Sequence, residues 1–200
     1  MAIKDLLIIG DGFAAAVALI HLLRQGFDAQ SITILGKHFP GRGNAYGCTS
    51  PAFRLNVRED LPIIFSEDPL HFARWAKEHI KDSQAKTSAG YFYRRSDFGT
   101  YMNQLVNDQL NGRALNHIEG EAERIIGSDG QWRVELKADE YIDAKAIILA
   151  TGNATPIWPC PVQIEQSSSQ ITLTENPWPG DYLHHIPAND HVLLLGGGLT

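Results

Sequence analysis

Apolar residues fall along this chain in runs of distinct character. Residues 5–9, DLLII, and the segment KAIILATGN at 145–153 each carry an unbroken apolar stretch, the pattern of strands covered on both faces in a parallel sheet. A further strand is predicted at SITIL, 31–35. Between the first two strands, Ala14 through Leu23 are strong helix formers, and Gly26 is placed to end the helix as its C-cap. The stretch EDPLHFARWAKEHIKD predicts a second helix, with Asp68 as N-cap, Pro69 at the first helical position, and an apolar stripe of Leu70, Phe72, Ala73, Trp75, Ala76 and Ile80. His71 and His79 are expected on its surface. A third helix opens at Ser96 and runs through DFGTYMNQLVNDQL.

Elsewhere the period changes. Residues 37–66 have no regular pattern but are too apolar for a solvated linker, and so predict a long, ordered, functional loop. From 114 to 144 come short strands, ALNHI, EAERIIG, QWRVEL and EYIDA, with Ser128-Asp129-Gly130 as a turn signal. A small antiparallel meander is expected, leading into the strand at 145. The chain closes on HVLLLGGGLT, which reads as a buried strand entering a glycine turn.

The first strand, turn and helix carry the candidate chemistry. Gly10, Gly12 and Ala15 fit G-x-G-x-x-(G/A). Gly10 permits the tight turn, Gly12 lets a pyrophosphate approach the backbone, and Ala15 lets helix pack on strand. A pyrophosphate would meet the free N–H groups and positive end of the helix, so Phe13 and Ala14 join the candidate set. An acid closing the second strand normally accepts the adenosine ribose hydroxyls, and that place is Gly36. Lys37 and Arg42 follow, as cations that could meet a phosphate or as solvated loop charges.

Composition narrows the classes. The chain has 200 residues, 44% hydrophobic and 20% charged, values of a folded globular protein. A net charge of −6 without basic runs argues against nucleic acid or an anionic membrane as partner, and favours a small molecule. The N-terminus lacks the features of a signal peptide and no segment has membrane-spanning length, which makes the cytoplasm the default expectation. Cys48 and Cys160 have no CxxC spacing and are expected to be small buried or half-buried hydrophobes; no metal site is expected. His184 and His185, in a Pro-rich stretch, read as part of a linker. No catalytic acid or base stands out, and oligomeric state is not legible.

Taken together, IIGDGFAAAVALIHLL, GRGNAYG, RLNV, DPLHFARWA, RRSDFGTYM and IILATGN resemble the bacterial FAD/NAD(P)-binding protein family. These are two-dinucleotide-binding flavoproteins distantly related to flavin-dependent N-hydroxylating monooxygenases. The resemblance implies an α/β, Rossmann-like FAD-binding domain with a parallel sheet, a helical insertion and a small antiparallel meander, truncated at the start of a second dinucleotide-binding domain. In this reading residues 1–155 form the FAD domain, 156–190 a linker, and 191–200 the start of an NAD(P)-binding domain. It further implies that Gly10, Gly12 and Ala15 face the FAD pyrophosphate, and that Arg42 and Gly43 lie along the cofactor. Asn56 would approach the flavin, Ala122 would offer its backbone to the adenine, and Ala150, Thr151 and Gly152 would close the site. Gly196 and Gly198 would begin the NAD(P)H turn. The family usually has Gly at the position of Ala15 and an acid at that of Gly36.

The function so implied is the FAD-binding part of an NAD(P)H-dependent oxidoreductase or monooxygenase with an unspecified small-molecule acceptor, not competent as this chain alone. A non-enzymatic nucleotide-binding or redox-sensing module is the alternative. A dehydrogenase or methyltransferase Rossmann domain fits less well, because a meander and an ATG return do not belong to a simple βαβ alternation.

Overall fold

The computed structural model describes residues 3–154, 156–163, 171–178 and 180–196. In chain order the elements are β1 (Lys4–Ile9), α1 (Phe13–Arg24), β2 (Ile32–Gly36), α2 (Gly43–Gly47), α3 (His71–His79), β3 (Lys86–Thr87), β4 (Gly90–Tyr91), α4 (Arg95–Leu110), β5 (Asn116–Glu119), β6 (Arg124–Ser128), β7 (Gln131–Glu135) and β8 (Tyr141–Leu149). The chain divides into two units, Met1–Gly152 and Asn153–Thr200.

The first unit is built on a six-stranded sheet in the order β5-β2-β1-β8-β7-β6. β1 lies parallel to both β2 and β8, with Ile9 opposite Leu35 on one side and Leu149 on the other. Alternation along β1 divides its side chains between two cores. Ile8 joins Ile32, Ile34 and the buried faces of α1, α3 and α4, whereas Leu7 and Ile9 join Leu35, Val134, Leu136, Ile142 and Ala144. A strand that must bury both faces can hold little but aliphatic residues, which is why DLLII reads as it does.

α1 ends as its sequence predicts. Gly26 takes φ +91°, its N–H donates to the Leu23 carbonyl and that of Phe27 to the Leu22 carbonyl, the paired bonds of a Schellman closure. α3 differs. Asp68 and Pro69 lie ahead of it, Leu70 is the N-cap and is exposed, and no side chain caps the helix. Asp68 instead pairs with Arg74, and its carbonyl accepts the His71 N–H. His71 is half-buried: its Nδ1 lies 2.9 Å from the Tyr101 hydroxyl, and its ring packs on Phe65. His79 is exposed and stacks on Trp75. An aromatic cluster joins α3 to α4, with Phe72 centred 4.9 Å from Phe98 and 5.0 Å from Tyr101. Burial holds the Tyr101 hydroxyl far above the ordinary phenol range, so it remains protonated.

The meander is smaller than its sequence suggests. ALNHI supplies β5, which pairs parallel with β2 instead of joining the antiparallel strands. EYIDA and KAIIL form one continuous strand, β8, pairing with β7 at its start and β1 along the rest. Within the six-stranded sheet only β6, β7 and the first half of β8 run antiparallel. β8 is also less covered than an apolar run implies: Leu149 is 64% exposed.

In the second unit the Trp158 N–H donates to Glu175 Oε1 at 3.1 Å, and Asp181–His185 forms a short 3₁₀ turn. Residues 191–196 form no strand, and Leu193 is 82% exposed. The predicted buried strand fails here for want of a partner: no strand lies elsewhere among the described residues of this unit. Cys48 is buried, whereas Cys160 is exposed, contrary to its expected burial.

An ion pair fastens the long loop to the helical layer. Arg54 donates to Asp82 Oδ2 at 2.9 Å and to the Phe92 carbonyl at 2.8 Å, and the Gln84 N–H donates to Asp82 Oδ1 at 3.0 Å. Burial opposes ionisation of Asp82, yet the Arg54 and Gln84 hydrogen bonds and the charges of Arg54 and Arg94 outweigh it and hold the carboxyl below its ordinary range. A depressed carboxyl stabilises the fold fully above the ordinary aspartate value, and that stabilisation disappears as pH falls through the lowered one. Asp82→Asn is therefore expected to cost about 3 kcal/mol at neutral pH in urea unfolding, with the gap from wild type closing as the medium is acidified below the ordinary aspartate range.

Candidate FAD/NAD(P) site

The carboxyl ends of β1, β2 and β8 meet at one point. The Gly10 N–H donates to the Leu35 carbonyl at 2.8 Å, and the Ala150 N–H donates to the Ile9 carbonyl at 2.8 Å. Gly10 has φ +121°, and a Cβ there would overlap the Ala150 carbonyl, 2.7 Å from its carbon. Glycine is required at this crossing by conformation and by space together.

α1 begins immediately beyond. Its N-cap is Gly12, no side chain caps it, and its first turn holds no acid, so the leading N–H groups and the positive end of the dipole are left for a ligand. Gly12 contrasts with Gly10. Its φ of −83° suits any residue, and an added Cβ would meet nothing nearer than the Gly43 Cα at 3.8 Å. Nothing among the described residues demands glycine at 12. A ligand lying against the backbone would, and the turn fits a pyrophosphate in this respect. Ala15 and Ala16 are fully buried, which lets α1 lie close on the sheet.

The loop after β2 folds back over this turn. The Gly41 N–H donates to the Asp11 carbonyl at 2.9 Å, and a Cβ on Gly43 would lie 2.7 Å from the Gly12 Cα. Asn103 of α4 holds the loop: its Nδ2 donates to the Pro40 carbonyl at 2.7 Å, and its Oδ1 accepts from Arg42 Nε at 2.9 Å. Arg42 Nη2 reaches Thr100 Oγ1 at 3.0 Å, and Gly99 admits the Tyr46 carbonyl, which an added Cβ would meet at 2.6 Å. Phe13, exposed at the helix start, lies against Tyr46 and Phe98 with centroids 6.0 and 5.8 Å away.

Residues 7–154 match the FAD-NAD(P)-binding family. The chain belongs to that family. No curated protein matches the sequence. Among solved structures, cyclohexanone monooxygenase in its open form is similar over 84% of this chain and 30% of its own, at 17% identity and TM-score 0.59. A variant of the flavin monooxygenase from Stenotrophomonas maltophilia is similar over 84% of this chain and 44% of its own, at 20% identity and TM-score 0.54. OTEMO in complex with FAD and NADP covers 82% of this chain and 28% of its own, at 16% identity and TM-score 0.53. The likeness to each is one of fold, and this chain spans less than half the length of each. It carries the mostly parallel, Rossmann-like sheet of flavoprotein FAD-binding domains.

Within the FAD-NAD(P)-binding domain, Gly10, Gly12, Phe13, Ala14, Ala15, Gly43 and Ala150 are brought together at the turn, followed by exposed Thr151 and Gly152. Gly36 closes β2 beside Asp11. The two cations are engaged elsewhere. Lys37 pairs with Glu121 at 2.8 Å, an exposed contact that raises the ammonium's pKa and lowers the carboxyl's through their hydrogen bond. Arg42 is turned to α4. Asn56 is exposed on the strip that pairs with residues 91–95, and no hydrogen bond joins it to the turn. Ala122 is half-buried against the second core. Gly196 has φ +121° in the second unit, and Gly198 lies outside the described residues.

Asn103, Thr100 and Gly99 were not anticipated as site supports, although small and polar residues flanking buried Phe98, Tyr101 and Met102 were the available signal. Asp11, between the two glycines, is also part of the turn, beside Gly36 and His38. Clefts of about 290 and 280 Å³ lie along α3 and α4, lined by residues such as Trp75 and Gln104, and share no residue with the turn. Concavity alone would favour them, but no glycine lines either, and the helix start beside the second, at Arg94, carries Asp97 in its first turn.

The two turn glycines should respond differently to one methyl group. Gly10→Ala is expected to cost at least about 2 kcal/mol in chemical denaturation, because strain at positive φ adds to a backbone overlap. Gly12→Ala should stay within about 1 kcal/mol of wild type.

Proposed function

We propose that this chain binds FAD, with the pyrophosphate on the N-terminus of α1, as part of an NAD(P)H-dependent flavoprotein oxidoreductase or monooxygenase. The observation that carries the reading is the uncapped start of α1 at the crossing of β1, β2 and β8, where Gly12 leaves its backbone open and no acid stands in the first turn. Family membership and the flavoprotein fold support it.

The roles follow from position. The N–H groups at the start of α1 would hold the phosphate oxygens, and the loop 41–43, fixed by Asn103, would wall the groove beside them. Ala150, Thr151 and Gly152 would border its opposite side. Bound there, FAD would supply hydride- and electron-transfer chemistry, and the protein its binding and orientation. The NAD(P)H site would begin at Gly196 and Gly198, and this chain spans less than half the length of the flavoproteins it resembles. The chain by itself is therefore expected to hold flavin without turning over.

The test is the visible absorption of the purified chain after incubation with excess FAD and desalting. Wild type should retain flavin bands that NADPH alone does not bleach, and Gly12→Ala should lose them while remaining folded by circular dichroism. A colourless wild-type chain that still binds adenylates would instead indicate a nucleotide-binding module without flavin chemistry.

A further inference from the structure

In a Rossmann domain the acid that accepts the adenosine ribose hydroxyls projects from the carboxyl end of the second strand. Here that strand ends in Gly36, which is buried, and the space its side chain would take is already filled. A Cβ on Gly36 would lie 2.7 Å from the Asp11 Cβ and 3.1 Å from both Asp11 Cγ and Oδ2. Asp11 comes from the glycine turn, one residue ahead of the N-cap of α1, and its side chain lies across the end of β2. The carboxylate is fixed. Oδ2 accepts the His38 N–H at 2.8 Å, while the residue's own carbonyl accepts the Gly41 N–H at 2.9 Å and the preceding Gly10 N–H is tied to the Leu35 carbonyl. Oδ1 accepts no hydrogen bond among the described residues and lies 3.9 Å from the Cβ position of Gly43, on the side of the open helix start. The nearest loop cation, Lys37, is engaged by Glu121.

We propose that Asp11 is the ribose-binding acid of this site, supplied from the turn instead of from the end of β2, and that position 36 is glycine because Asp11 occupies its side-chain space. The inference rests on the nucleotide-binding reading of the turn, but only on its adenosine half. It makes the ligand an adenosine diphosphate moiety with a free 2′-hydroxyl, as in FAD or NAD. A 2′-phosphate would bring a dianion against the Asp11 carboxylate, while Lys37, the cation that faces Asp11, is already paired with Glu121, and such a ligand would be disfavoured.

The experiment is calorimetric titration of the full 200-residue chain with ADP, 2′-deoxy-ADP and adenosine 2′,5′-bisphosphate. Wild type should bind ADP about tenfold more tightly than the deoxy analogue, the size expected of one hydrogen bond to a charged acceptor. Asp11→Ala should bind ADP about tenfold more weakly and lose that preference. It also frees the His38 N–H, so a second pair of variants separates recognition from loop order. Gly36→Glu alone should bind poorly, because the new side chain meets Asp11. Asp11→Gly combined with Gly36→Glu returns the acid to the end of β2, and should regain both affinity and preference for the 2′-hydroxyl. The proposal is overturned if Asp11→Ala keeps the wild-type ratio of ADP to deoxy analogue, if it binds ADP more tightly, or if the double variant is no better than Gly36→Glu. A wild-type chain that binds none of the three nucleotides removes the nucleotide reading as well, whereas one that binds ADP but not FAD removes only the flavin.

Discussion

Everything that makes this turn a candidate site depends on how closely the backbones of β1 and β8 approach at Gly10 and Ala150. Two hydrogen bonds, from Gly10 to Leu35 and from Ala150 to Ile9, draw three strand ends to one point, and the absence of a side chain at Gly10 lets the Ala150 carbonyl occupy the space beside it. Because the strands are parallel, their free carboxyl ends lie at one edge of the sheet, and α1 must start there to return the chain for β2. The open helix start is a consequence of that geometry. An added group at Gly10 would disturb the strand crossing and the helix origin together.

A second layer of order comes from α4. Its buried stripe of Phe98, Tyr101, Met102, Leu105 and Val106 packs into the helical core, while Gly99, Thr100 and Asn103 face the loop after β2. The same helix thus contributes to stability on one side and to the shape of the groove on another. Gly41 and Gly43 are there for close approach: the first lies against Asn103, the second against Gly12. Arg42, the residue between them, points its guanidinium into this scaffold, donating to Asn103 and Thr100, while the N–H groups at the start of α1 face the groove.

Asp11 and Gly36 show how two positions 25 residues apart can exchange roles when their side chains share one volume. Read alone, Gly36 looks like the loss of a functional group. Beside Asp11 it becomes the space that admits one. The two residues follow or close adjacent parallel strands, and only the packing distance reveals that they belong together.

The glycine turn, its strand and helix, the apolar run that returns at 145 and the helix from Ser96 were all legible in the sequence, because each rests on local chemistry: period, glycine spacing and helix propensity. What stayed hidden depends on partners. ALNHI and EYIDA have strand-like compositions, but whether a strand pairs parallel with β2 or merges into β8 is decided by neighbours that a local window does not contain. HVLLL is apolar enough for a core strand and forms none, since a strand exists only where another offers its hydrogen bonds. The hydrogen bond of half-buried His71 to Tyr101, and the partners that Glu121 and Asn103 give to Lys37 and Arg42, are likewise invisible in the sequence. The sequence by itself determined which backbone could turn tightly and where a helix would start. The tertiary structure alone decided which polar groups were left unpaired at that start, because pairing is a property of distances between segments far apart in the chain.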